Sequence, residues 1–374
     1  MLTTADRPSL RFPALRFCSF LFYAGWWRLA SHQHHAGRHA LAAAIWLLLM
    51  LTVLPLRAAD YATVIAYHRF GEEELPSTNI TLQQFDDHLQ ELEDGGYTIL
   101  PLIDIVRAIQ EGEPLPDRSL AITIDDAFLS VYREAFPRLR ERGFPFTLFV
   151  ATEAIDSNRR GYMNWDQLRE LQAAGVDIGS QSHSHPHMHR ITLEQVRDEL
   201  AVANSRFLEE LGIRPELFAY PYGEYTPAVR DMVRDSGFIA AFGQHSGIMD
   251  SSGNAYEYPR FAFNENYGTV DRLKLAANAL PIPATDITPE SMVLEENPPI
   301  SGFTIADGIE PLSRLACFAS GMGKVETMII GRRVEIRLPA PFTSHRGRIN
   351  CTMPVVRDGR DNGRWRWFGR QFLP

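Results

Sequence analysis

From residue 62 to residue 263, short runs rich in β-branched and aromatic residues alternate with stretches of helical period, and this alternation constrains the fold more than any other feature. Parallel strands cannot be joined by a tight turn, so each needs a crossover helix, and repeated βα units build a parallel sheet or barrel. Strands are expected at 63–67, 97–100, 120–124, 146–150, 176–179, 217–220 and 238–242. The fold class this predicts is α/β, with about seven strands. Helix starts are marked as well. Thr81 with Gln84, and Thr192 with Gln195, fit a capping box in which two side chains satisfy backbone N–H groups left free by the first turn. After Thr81, Leu82, Phe85, Leu89 and Leu92 share one helix face, and Gly95 and Gly96 end the helix.

The chain is 374 residues long, more than one average domain of roughly 100–200 residues. Composition breaks after Ala279. Pro281, Pro283, Pro289, Pro298 and Pro299 crowd together without periodicity, which predicts an extended linker over 280–300. Beyond it, 325–330, 333–338, 347–353 and 364–368 read as short strands, giving a small C-terminal β domain over 301–374 after a main domain over 60–279. Trp365 and Trp367 fall on one face of the last of these strands. There they can either stack on a carbohydrate or fill the core between the β domain and the main domain.

Residues 1–59 differ from the rest. The uncharged apolar run 40–54, preceded by Arg28 and Arg38, is shorter than the roughly 20 residues a membrane span needs and reads as a signal h-region. Ala58 and Ala59 offer a processing site before Asp60, although Arg57 suits such a site poorly and leaves an uncleaved membrane anchor as the alternative. Either route exports the remainder to the periplasm or beyond. Cys18 lies in this leader, while Cys317 and Cys351 are free to pair in an oxidising compartment or to remain buried thiols. With 37 basic against 46 acidic residues, the net charge of -9 argues against nucleic-acid binding through broad attraction to phosphates.

Three motifs carry chemistry. Asp125 and Asp126 end an apolar strand, at the sheet edge where such folds place active sites. Adjacent acids point in different directions, so one can hold a cation while the other handles a proton. Gln181 to His189 follows a second strand and contains His183, His185, His187 and His189. Imidazole is a common metal ligand, and His185 and His189 stand four residues apart. Tyr220-Pro221-Tyr222-Gly223 ends a third strand in a rigid turn able to aim a backbone N–H at a reacting carbonyl.

In this order, over roughly residues 60–265, the motifs resemble those of the NodB-type polysaccharide deacetylases, whose fold is a distorted (β/α) barrel. The resemblance implies hydrolysis of N-acetyl groups on a polysaccharide of amino sugars. Asp125 is implied as general base, Asp126 and His185 as metal ligands, and the Tyr222 N–H as oxyanion donor. Three departures stand out. Gln181 occupies the place of the usual first histidine ligand, so His189 becomes the expected substitute, with a weaker site using Gln181 itself, or a lost metal, as alternatives. Ala219 replaces the arginine that often holds the base, a charge that Arg260 can supply. The late histidine acid is missing, since no histidine occurs between His245 and His345. Tyr67-His68 resembles the early Tyr-His of the circularly permuted branch that deacetylates poly-N-acetylglucosamine in biofilm matrices, and this implies His68 as the acid. The implied cofactor is a divalent metal, zinc by ligand type, with nickel, cobalt or iron as alternatives. Two other readings fit the same residues, an O-acetyl esterase and a catalytically impaired glycan-binding protein.

Overall fold

The computed structural model describes residues 58–374 apart from residues 73 and 358. The leader's apolar run and Cys18 lie outside the described residues. Among those described, no helix is long and apolar enough to cross a membrane. Ala58–Ala59, where processing was expected, pair antiparallel with Leu115–Pro116.

All seven expected strands are present, each within two residues of its predicted bounds. They are β1 (Tyr61–Tyr67), β2 (Thr98–Ile99), β3 (Ser119–Asp125), β4 (Phe146–Val150), β5 (Asp177–Ser180), β6 (Leu217–Ala219) and β7 (Ala240–Phe242). Strands β1, β3, β4, β5, β6 and β7 lie side by side and parallel, and β2 joins the start of β3. Buried on both faces, β3 is uncharged until its final carboxylate, as a central parallel strand should be. The chain after β7 links the two ends of the sheet. Phe242 bridges in parallel to Tyr258, and β8 (Phe261–Ala262) then pairs with Ile65 and Ala66 of β1. This closure turns the sheet into a distorted barrel and carries Arg260 inside it.

Both expected capping boxes form. Helix α1 (Leu82–Asp94) starts at Thr81 and buries Phe85, His88, Leu89 and Leu92, and Gly95 caps its C-terminus. Helix α2 (Leu193–Leu211) starts at Thr192 and ends on Gly212 in the left-handed conformation. Each large apolar side chain buried in this way stabilises the fold by about 1.5–3 kcal/mol.

A second sheet is built from eight strands, β9 (Leu280–Pro281), β10 (Ala284–Thr288), β11 (Ser301–Ile305), β12 (Ala316–Ala319), β13 (Gly323–Ile330), β14 (Arg333–Arg337), β15 (Gly347–Arg357) and β16 (Arg360–Phe372). Their order is β9-β16-β15-β12-β13-β14-β11-β10. The segment expected to be an extended linker over 280–300 therefore supplies two strands. Both lie at edges of this sheet, where a proline's missing N–H breaks no ladder. Cys317 and Cys351 face each other across β12 and β15 and are joined by a disulfide. Of the two tryptophans, Trp367 sets its ring against Phe261 of the barrel at 5.2 Å and donates from Nε1 to Asn350. Trp365 remains 39% exposed.

Candidate active site

The four chemical segments all sit at the carboxyl ends of barrel strands: His68 after β1, Asp125 and Asp126 at the end of β3, Gln181 after β5 and Tyr222 after β6. The backbone there is unusually strained. Asp126 (φ 75°), Ala127 (49°), Ser182 (68°), His185 (57°) and Tyr222 (60°) all adopt the left-handed region. For residues with a Cβ this costs on the order of 1–3 kcal/mol each, and such strain gathers at functional sites.

The adjacent acids do diverge. Asp125 turns into the barrel, where it and Arg260 are both fully buried. The Arg260 Nη1 and Nη2 groups donate to Asp125 Oδ1 and Oδ2 at 2.7 and 2.9 Å, a two-point ion pair. Arg260 is itself fixed by donating to Thr123 Oγ1 at 3.2 Å and to the Gly243 carbonyl at 2.9 Å. The charge missing at Ala219 is thus supplied from 135 residues further along the chain than Asp125. His68 Nε2 lies 3.7 Å from Asp125 Oδ2 and 3.4 Å from the Gln244 amide nitrogen.

Asp126 faces outward. Its Oδ1 lies 3.3 Å from His185 Nε2. Burial alone would raise the Asp126 carboxyl. The His185 hydrogen bond and the charges of His68, His185 and Arg69 outweigh burial and hold it below the usual carboxylate range. Asp126, His185 and Tyr222 line a cleft of about 280 Å³ together with Tyr162, Arg159 and Glu153. Gln181 is fully buried, and among the described residues neither its Oε1 nor its Nε2 has a hydrogen-bond partner.

These residues fit a divalent cation. The 3.3 Å between Asp126 Oδ1 and His185 Nε2 matches the separation of two ligands each about 2.0–2.1 Å from one tetrahedral ion. An orphaned buried amide costs roughly 1–3 kcal/mol unless something satisfies it, and Gln181 Oε1 is a hard donor of the kind such an ion accepts.

His189 does not join Asp126 and His185. Its Nδ1 lies 3.3 Å from Glu224 Oε2, and His187 Nδ1 meets the same oxygen at 2.5 Å. The expectation of His189 as the substitute ligand is not met among the described residues, because the turn over Met188–Arg190 leaves its ring, with that of His187, grouped around Glu224. Sequence reasoning also missed Glu224, nearly buried and held by Arg346 at 2.8 Å. Its only local signal was a carboxylate just after the Pro-Tyr-Gly turn.

In that turn Tyr222 is left-handed, and Gly223 donates to the Tyr220 carbonyl at 2.7 Å. A Cβ on Gly223 would meet Gln244 N at 2.5 Å, so only glycine lets the turn pack this closely beside the neighbour of His68. Among the described residues, the Tyr222 N–H donates no backbone hydrogen bond outside its own turn.

The polysaccharide deacetylase family model matches residues 112–241, a span that holds Asp125, Asp126, Gln181, His185 and Tyr222. The chain is 22% identical over 202 residues to the poly-beta-1,6-N-acetyl-D-glucosamine N-deacetylase of Escherichia coli K12, covering 43% of this chain and 30% of that protein. To the enzyme of the same name from Staphylococcus aureus MRSA252 it is 20% identical over 226 residues, covering 56% and 76%. It spans less than two thirds of the length of the first curated relatives it matches, at 61% and 30%. Among solved structures it is similar to IcaB from Ammonifex degensii, at TM-score 0.52 and 26% identity over 59% of this chain and 98% of that one. It also shares the fold of the Streptococcus pyogenes deacetylase PplD, at TM-score 0.54 and 19% identity over 58% and 98%.

Proposed function

We propose that this chain, whose residues 112–241 match the polysaccharide deacetylase family model, hydrolyses the N-acetyl groups of an exported poly-N-acetylglucosamine. The observation that carries this reading is the division of labour between the adjacent acids. Asp125 is locked to Arg260 beside His68, while Asp126 stands with His185 in a cleft large enough for an acetamido group. The choice of glycan rests on the two relatives named for poly-beta-1,6-N-acetyl-D-glucosamine.

Asp126, His185 and Gln181 are the residues that would hold a divalent cation, zinc or a harder ion. When bound, such an ion polarises a carbonyl and acidifies water. The protein's own groups do the rest. Asp125 accepts the proton of the attacking water as its oxygen bonds to the acetyl carbon. The Tyr222 N–H donates to the oxygen on which negative charge develops. His68 delivers a proton to the departing nitrogen as the C–N bond breaks, releasing acetate and a free amine. Export is supported by the apolar run at 40–54 and by the Cys317–Cys351 disulfide, a bond that persists in oxidising compartments.

The test is acetate release from β-1,6-linked N-acetylglucosamine oligomers and from an O-acetylated glycan, with Asp125→Asn as control. Release from the N-acetylated oligomers that falls on the order of 10²–10⁴-fold in the variant supports the reading. Release only from the O-acetylated glycan makes the chain an esterase. Release from neither makes it a glycan-binding protein.

A further inference from the structure

The turn that presents Tyr222 is gripped from behind by the C-terminal part of the chain. Within residues 220–225, Glu224 Oε1 accepts from Arg346 Nε at 2.8 Å, the Gly223 carbonyl accepts from Gln371 Nε2 at 3.5 Å, and the Tyr225 N–H meets Met292 Sδ at 3.3 Å. Arg346 stands immediately before β15 and Gln371 lies in β16. Arg346 also covers the Tyr222 ring, with its guanidinium carbon 5.4 Å from the ring centre. The His187 ring stacks on Tyr222 at 4.0 Å with an interplanar angle of 11°, and the His185 ring meets it edge-on at 4.5 Å. His187 is itself tied to Glu224. One carboxylate and one guanidinium therefore fix both the backbone and the ring of a residue whose left-handed φ needs holding.

We propose that Arg346 is a positioning residue for Tyr222, acting through Glu224, and that the second sheet is therefore part of the hydrolytic apparatus. The consequence for catalysis rests on the deacetylase reading above, whereas the positioning itself does not. Oxyanion donors act only where preorganised, so loosening this turn removes transition-state stabilisation while leaving substrate binding in place.

His187, His189 and Glu224 place donor atoms within 4.8 Å of one another, as ligands of a cation would be. Two contacts favour the clamp instead. Arg346 already matches the charge of Glu224. Arg190 Nε donates to His189 Nε2 at 3.1 Å, which puts the proton of that ring on Nδ1, so that atom, 3.3 Å from Glu224 Oε2 without a hydrogen bond, has no lone pair for a cation.

The experiment compares Arg346→Ala and Arg346→Lys with wild type in the full chain. Expected in Arg346→Ala are faster amide exchange in the peptide covering residues 220–226 with no change at 120–127, and kcat lower by roughly 10- to 100-fold with KM within about twofold. Arg346→Lys should keep part of the rate, and millimolar guanidinium should restore kcat to Arg346→Ala. Unchanged exchange with unchanged kcat would overturn the proposal, and so would a rate loss that tracks a lowered Tm and resists guanidinium. Loss of one bound metal equivalent in Glu224→Gln would replace the clamp by a cation site. If wild type releases no acetate from any glycan, the deacetylase reading fails, and the exchange measurement alone decides whether Arg346 positions the turn.

Discussion

Asp125 and Asp126 are neighbours in sequence, yet their surroundings are opposites. The Asp125 carboxylate is matched within the protein. The carboxylate takes two donors from Arg260, and Arg260 spends further N–H groups on Thr123 and Gly243. Around Asp126 the matching is incomplete, with one contact to His185 and an open cleft, and after the neighbouring strand β5 the buried Gln181 amide lacks any partner among the described residues. A half-site that is satisfied by itself serves to hold a group in place. A half-site with unmatched donors serves to receive something. The two halves should therefore respond differently to mutation.

The largest difference is expected between Arg260→Met and Asp126→Ala. Removing Arg260 leaves a buried carboxylate without its counter-charge, which should lower unfolding free energy by about 3–5 kcal/mol in urea titrations. Removing Asp126 should abolish acetate release while changing stability by less than about 1 kcal/mol. Equal stability losses would erase the distinction between the halves.

Acid should come next in size. His88 and His245 are held neutral by burial, the Gly268 carbonyl partly opposing this at His88 and nearby arginines reinforcing it at His245, and their folded-state pKa values fall to about 4 and about 3. Their contribution is complete above the unfolded value of about 6.5 and is lost as pH falls below it. Burial pushes Glu224 upward, but the adjacent His189 and the hydrogen-bonded His187 and Arg346 bring it down to about 2. Its contribution is complete above the ordinary glutamate range and is lost as pH falls toward 2. Urea midpoints should begin to decline below about pH 6.5, and Glu224→Gln should flatten only the part of the curve below about pH 4.5.

The smallest effect sharpens the comparison most. Gln181→Leu removes an orphaned amide, so it should raise stability by roughly 1 kcal/mol while weakening metal binding. A fall in stability would mean that the amide is satisfied in solution by the protein itself.

The barrel was largely legible in the sequence because its signals are local. Short β-rich runs and capping boxes at Thr81 and Thr192 set strand and helix positions without reference to the rest of the chain. Strands β9 and β10 were hidden because the prolines around them read as a connector, and their edge positions depend on partners further along the chain. In the site, the order of the motifs pointed to Asp125, Asp126 and His185. The Asp125–Arg260 pair needed only the clue of a missing arginine at Ala219. Glu224 and Arg346 are 122 residues apart, and nothing local announces their meeting. His189 was misplaced because spacing along the chain cannot reveal which way a turn carries a ring.

The measurement that bears most directly on the account is metal content after chelation and reloading, made on wild type, Asp125→Asn and Asp126→Ala. About one equivalent should return to wild type and to Asp125→Asn and none to Asp126→Ala, with acetate release restored only in wild type. Full metal uptake by Asp126→Ala, or equal loss in both variants, would contradict the division between a half-site that holds and a half-site that receives.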